Sequence, residues 1–157
     1  MPSALHVEPV ARVVGGRTEP FDDDWDAVEA VIRLDERFAP EALAGLEEFS
    51  HVEVVYVFDR VDPAAVEIGA RHPRGNTAWP RVGIFAQRAK DRPNRIGVGV
   101  CRLLRVNGRD LHVAGLDAVD GTPVLDIKPV MAEFLPRGEL RQPAWSSELM
   151  AGYWWSS

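Results

Sequence analysis

The chain is poor in the residues that would hold or anchor it from outside. One cysteine, Cys101, among 157 residues rules out an internal disulfide framework and suits a reducing compartment such as the cytoplasm. No run approaches the ~18 apolar residues of a membrane-crossing helix. Residues 1–9 lack the basic and then apolar pattern of a secretion signal. The histidines at 6, 51, 72 and 112 lie far apart, with no H-x-H, H-x-x-x-H or C-x-x-C spacing, so no metal site is expected. Nucleotide motifs are missing too. Residues 97–102 contain a G-x-G but no third glycine, within an apolar stretch that reads as a strand, so a Rossmann fingerprint is excluded. Neither a P-loop nor a G-x-S-x-G elbow occurs. Cys101, set in the same stretch, reads as an inert core residue.

What remains is an ordinary globular composition: 46% hydrophobic and 27% charged residues, with 12 prolines and 13 glycines in short punctuation that argues against a helical bundle. With no repeat or linker, residues 1–157 read as a single domain. The net charge of −6 hides an asymmetry. Residues 71–109 carry 10 Lys/Arg and one acid, Asp91, while residues 1–70 carry 5 Lys/Arg against 16 acids. This basic block is dominated by arginine, whose planar fork suits bidentate contact with phosphate or carboxylate. Either it binds anions, or its arginines pair with the acidic segments, where each surface pair is worth little.

Periodicity predicts many short strands: residues 5–14, 27–34, 52–58, 82–86, 96–106, 111–116 and 124–127. Asn107-Gly108 is the strongest hairpin signal and Asp120-Gly121 another turn. Residues 40–49 read as a short helix, with Pro40 in the first turn and Leu43, Leu46 and Phe49 on one face. Residues 148–155 read as a closing helix. The sum is a mainly β domain with short helices, which favours a barrel or sandwich.

Two segments resist a purely structural reading. VGIFAQRAKDRPNRIG (82–97) follows a short strand with Arg88, Lys90, Arg92 and Arg95 around Pro93-Asn94. GLDAVDGTPVLDIKP (115–129) sets Asp117, Asp120 and Asp126 among glycines and prolines. The bland alternative is a pair of rigid, salt-bridged loops at a barrel end. Together with GLEEFSHVEVVYVF (45–58) and RHPRG-N (71–76), these stretches resemble the TsaA-like domain of the bacterial tRNA methyltransferase TrmO family, over roughly residues 8–135. The resemblance implies a small, non-Rossmann TsaA-like β-barrel that binds S-adenosylmethionine, as a homodimer with the cofactor near the subunit interface. It also implies methylation of N6 of threonylcarbamoyl-adenosine beside the anticodon of tRNA. Other acceptors, RNA or small molecule, and a non-catalytic cofactor-binding module remain as alternatives.

The residue types suit that ligand. Arg88 best matches the family's cofactor-contacting arginine and would face the amino-acid carboxylate. Val98 and Gly115-Leu116 offer strand edges for adenine, and Asp117 suits hydroxyls or the amino group. Phe58, Asp59, Arg60 and the loop around Trp25 correspond to other places of cofactor contact in relatives. For catalysis, Asp120 is the candidate proton acceptor, with Arg92 and Asn94 positioning the substrate. Two departures from the family loop, Asp91 for Phe and Arg95 for Pro, alter the substrate-facing chemistry. The chain stops at Ser157, short of the further C-terminal domain of longer bacterial relatives, which leaves tRNA specificity more open than cofactor binding. The tail from residue 137 would close the barrel or the dimer. Its Trp145, Tyr153, Trp154 and Trp155 either stack on bases or pack as core.

Overall fold

A computed structural model describes residues 3–155. Six antiparallel strands close into a barrel: β1 (Ala11–Val14), β2 (Glu29–Leu34), β3 (His51–Val57), β6 (Ile96–Asn107), β7 (Asp110–Ala114) and β8 (Pro123–Pro129). They follow one another around the barrel as β1-β2-β7-β6-β3-β8, and β8 returns to β1 through Ala11–Val124 and Arg12–Pro123 pairs. Closure leaves these strands no open edge. A separate two-stranded arm, β4 (Ala70–Arg71) and β5 (Val82–Gly83), lies outside the barrel on the β3–β6 connection.

Alternation decides what each strand buries. In β3, Val52, Val54 and Tyr56 face inward, while Glu53, Val55 and Val57 are only half-buried outside. In β6 the inward row is Gly97, Gly99 and Cys101, and the outward row is Ile96, Val98 and Val100. Ile32, Leu111, Val113 and Val124 complete a core at 0% exposure, each side chain contributing about 1.5–3 kcal/mol of burial. Cys101 is buried at the level expected of an inert thiol, and burial pushes its pKa up to about 12.

Most expected strands are present, and the Asn107-Gly108 hairpin joins β6 to β7. Four expectations are corrected. Residues 40–49 form no single helix but two 3-10 turns, Pro40–Leu43 and Leu46–Glu48, because Gly45 between them takes a left-handed φ of 91°. Of residues 5–14, only Ala11–Val14 finds strand partners. Residues 82–86 divide into β5 and a 3-10 turn, Ile84–Ala86. The closing helix, α1 (Ala144–Leu149), starts and ends earlier than residues 148–155. Past it, three successive carbonyls, Gly152, Tyr153 and Trp154, accept the amides of Asp24, Trp25 and Asp26. That pairing replaces helical hydrogen bonds over the last turn.

Strand direction then sorts the connections. In this antiparallel barrel, the segments after β1, β3 and β7 all emerge at one end, and those after β2, β6 and β8 at the other.

Candidate functional site

The three connections of the first end carry nearly every candidate residue. Trp25 lies between β1 and β2; Phe58, Asp59, Arg60, Arg88, Arg92 and Asn94 between β3 and β6; Gly115, Leu116, Asp117 and Asp120 between β7 and β8. Val98 follows within the first turn of pleat of β6. The segments 82–97 and 115–129, distant in the chain, therefore share one barrel mouth.

Asp117 is the centre of the first cluster. The Tyr56 hydroxyl donates to its Oδ1 (2.9 Å) and to its carbonyl (3.1 Å). The Tyr153 hydroxyl, arriving from the C-terminal segment, donates to Oδ2. Gly99 leaves the space, since a Cβ there would stand 2.7 Å from Asp117 Oδ1. Gly97 does the same for the rings of Tyr56 and Phe58, at 2.7 and 2.8 Å. Those two rings meet edge to face, 5.3 Å between centroids. Burial first, and then the Asp117 charge, push both phenol pKa values above the ordinary tyrosine range. Arg88 reaches the same strand and donates to the Val98 carbonyl (2.8 Å) with its guanidinium largely exposed. Its charge acts on both tyrosines, lowering their pKa values against the larger upward pushes.

Asp120 belongs to a second cluster. Its Oδ1 accepts the Gly15 amide (2.8 Å), its own amide donates to the Arg17 carbonyl (2.7 Å), and its carbonyl accepts from Arg60 (3.1 Å). Oδ2 has no hydrogen-bond partner among the described residues. Arg17 also lies 4.3 Å above the Trp25 ring. Trp25 is 4% exposed, so its ring is part of the wall rather than of the open mouth. Leu116 is likewise core, and Gly115 is buried beneath the Asp26 backbone. Phe58 is half-buried, Asp59 exposed, and Val98 38% exposed.

The basic loop is bent tightly. Arg92 donates to the Gln87 carbonyl (2.5 Å) and Arg95 to the Val61 carbonyl (2.7 Å). Asn94 and Arg95 are consecutive left-handed residues, with φ of 64° and 50°. Each such residue costs about 1–2 kcal/mol, and the pair holds the exposed Asn94 side chain out of the turn. Of the seven cations between 71 and 95, Arg71 pairs with Asp91 and Arg74 with Asp22 and Asp23. Arg81, Arg88, Lys90, Arg92 and Arg95 have no acidic partner among the described residues. The bland reading of the basic block thus covers Arg71, Arg74 and also Arg102, which pairs with Asp26, while Arg88, Arg92 and Arg95 are held by backbone carbonyls instead of acids.

Sequence reasoning missed Tyr56, and named Tyr153 only among the tail aromatics that stack or pack, not as a partner of Asp117. The only trace of the first was Gly-x-Gly in a strand, a mark of close approach by a neighbour. The second left none, because its contact spans 36 residues. Among the described residues no group of His, Cys, Asp and Glu is arranged to hold a metal ion, and no helix is long and apolar enough to cross a membrane. Of two cavities, one of about 210 Å³ lies against Leu43 and Val106, and one of about 190 Å³ borders the second cluster at Gly15, with Glu29, Leu104 and His112 in its lining.

A family model for the N-terminal domain of tRNA-methyltransferase O matches residues 21–134. A mouse protein named tRNA (adenine(37)-N6)-methyltransferase is 42% identical over 93 residues, 59% of this chain but 21% of its own length. A probable S-adenosyl-L-methionine-binding protein of Pyrococcus abyssi is 33% identical over 153 residues, covering 90% of this chain and 76% of its own. The crystal structure of TrmO from Pseudomonas aeruginosa superposes with a TM-score of 0.74 at 29% identity, over 92% of this chain and 63% of that one. The chain thus spans about a fifth of the mouse relative it matches. With a barrel of that fold and a family match over most of its length, the chain belongs to the tRNA-methyltransferase O N-terminal domain family.

Proposed function

We propose that the barrel mouth binds S-adenosylmethionine and that the protein transfers its methyl group to N6 of an adenosine in tRNA, specifically threonylcarbamoyl-adenosine beside the anticodon. The observation carrying this reading is the convergence of Arg88, Val98 and Asp117 on one stretch of β6, in the same connection as four further cations without an acidic partner among the described residues. The donor set fits the cofactor. Arg88 offers a fork for a carboxylate, Val98 and Phe58 offer apolar surface for adenine, and Asp117 accepts from hydroxyls or an ammonium. When bound, the cofactor supplies an activated methyl group on a sulfonium. The relatives' names, which include S-adenosylmethionine binding and tRNA methylation, support the same reading.

The chain's own residues do the rest by position and charge. Arg81, Lys90, Arg92 and Arg95 attract the tRNA backbone through the salt-sensitive, sequence-independent part of binding. Arg92 and the strained Asn94 orient the acceptor nucleoside. Asp120, anchored through Oδ1, keeps Oδ2 free to take the N6 proton. Holding nucleophile and methyl carbon in line supplies much of the rate, so no covalent enzyme intermediate is required.

Next to the mouth, the outer face of β6 exposes Ile96 (39%), Val98 (38%) and Val100 (45%). That apolar strip supports assembly as a homodimer, with the partner covering the cofactor, in a cytoplasmic protein. Calorimetry with S-adenosylmethionine tests the first claim, and no heat at millimolar ligand sinks it. Arg88→Ala should weaken binding by about 1–3 kcal/mol. Mass spectrometry of tRNA nucleosides after incubation with protein and cofactor tests the acceptor. Absence of methylated threonylcarbamoyl-adenosine removes that assignment. Sedimentation at low and high protein concentration, with and without Val100→Glu, reads the dimer.

A further inference from the structure

The C-terminal segment leaves β8 at the end of the barrel opposite the site, yet it returns to the site. It is tied there at three places. The Trp79 indole donates to Glu148 (2.9 Å), the amides of Asp24, Trp25 and Asp26 donate to the carbonyls of 152–154, and the Tyr153 hydroxyl reaches Asp117. The backbone bonds bracket Tyr153, so its ring is fixed relative to the mouth. The chain has only two tyrosines, and both hydroxyls end on this one carboxylate, one on each oxygen.

We propose that Tyr153 is a positioning residue for the cofactor site. With Tyr56 it holds the Asp117 carboxylate in one orientation and leaves one lone pair on each oxygen for the ribose diol or ammonium of S-adenosylmethionine. A carboxylate has about four acceptor positions, so two tyrosine donors orient it without filling it. Tyr56, from the wall, fixes Oδ1; Gly99 makes the room; Tyr153 supplies the restraint that the wall cannot reach. A freely rotating carboxylate would have to lose that freedom on binding, and a pre-set one does not. The position lies beyond the residues that the family model matches. This role rests on the assignment of Asp117 to the S-adenosylmethionine site.

Calorimetry with S-adenosylmethionine on the full chain separates the two ideas. Asp117→Asn should lose most of the affinity; an unchanged affinity removes Asp117 from the site and with it this proposal. Where Asp117→Asn does weaken binding, Tyr153→Phe should weaken it about tenfold, the worth of one hydrogen bond to a charged group. The melting temperature should stay near that of the unaltered chain, and in methyl transfer the loss should fall on KM for the cofactor rather than on kcat. Wild-type affinity in Tyr153→Phe overturns the proposal, and tighter binding overturns it by showing that the phenol competes with the ligand. Glu148→Ala removes the acceptor of the Trp79 indole and loosens the segment without touching Asp117, and it should bind as the unaltered chain does; a loss equal to that of Tyr153→Phe would assign the effect to closure of the segment and not to the hydroxyl. Alkaline titration of the near-ultraviolet phenolate band reads the geometry directly. In Tyr56→Phe the remaining phenol should ionise at higher pH than in the Tyr56→Phe, Asp117→Asn double variant, and coincident curves would show that Tyr153 does not meet the carboxylate.

Discussion

The two ends of the barrel are built differently. At the far end, the Asn107-Gly108 hairpin joins β6 to β7, and the 35–50 connection folds into 3-10 turns that bury Leu43 against the core. At the near end, long connections bring unpaired cations, two consecutive left-handed residues and a carboxylate between two phenols. The near end thus holds strained non-glycine backbone and cations without acidic partners, features that cluster at functional sites. The contrast can be broken by separating stability from binding. The largest expected effect is in the wall that both ends share. Ile32→Ala removes a side chain at 0% exposure and should cost about 2–5 kcal/mol by denaturant melting. The folded fraction should bind S-adenosylmethionine with unchanged affinity, and a parallel loss of affinity would show that wall and mouth are one unit.

At the near end the order should reverse. Gly99→Ala places a methyl 2.7 Å from Asp117 Oδ1 and 3.4 Å from a Leu116 methyl. The carboxylate must move, at about 1–3 kcal/mol of stability. The loss of S-adenosylmethionine affinity should exceed the loss of stability. Asn94→Gly sharpens the same point with opposite signs. Glycine accepts the φ of 64° without penalty, so stability should rise by about 1 kcal/mol or less, while methyl transfer to tRNA falls. A variant that keeps full activity would show that the Asn94 side chain does not touch the acceptor.

Where local chemistry decided the outcome, it was readable. The β-branched runs expected at 27–34 and 52–58 became β2 (Glu29–Leu34) and β3 (His51–Val57), and Asn-Gly became the hairpin. The helix expected over 40–49 failed because its apolar spacing ignored Gly45, whose left-handed backbone interrupts any helix. For the site, the two marked loops do share a mouth, since strand direction in a closed antiparallel barrel forces them there. Their internal division was not readable. Asp117 and Asp120 stand three residues apart, yet one faces Tyr56 across the barrel and the other caps Gly15 beside β1. The irregular chain between them, outside any strand or turn, sends these side chains to Tyr56 and Gly15, each more than 60 positions away, and no periodicity encodes that.

The two ends should also fail at opposite pH limits, and the smaller effect belongs to the far end. Tyr56 and Tyr153 have raised folded pKa values, so their contribution is complete below the unfolded tyrosine value of about 10 and is lost as pH rises above it. At the far end Arg33, on β2, forks onto Asp110 at the start of β7 (2.9 and 3.1 Å) and holds that carboxyl below its ordinary range. A depressed carboxyl contributes above its unfolded value, about 4, and loses that contribution as pH falls through the folded pKa. Both side chains of this pair reach solvent, so water and salt screen it. Asp110→Asn should therefore leave the melting temperature at neutral pH almost unchanged and flatten only the acid limb, an effect that added salt should erase. Asp117→Asn should flatten the alkaline limb in part, since burial remains the larger cause, and keep doing so in salt, because its phenols are buried. If both limbs answered to salt alike, the near-end carboxylate would be as wet as the far-end pair, and the difference between the two ends would vanish.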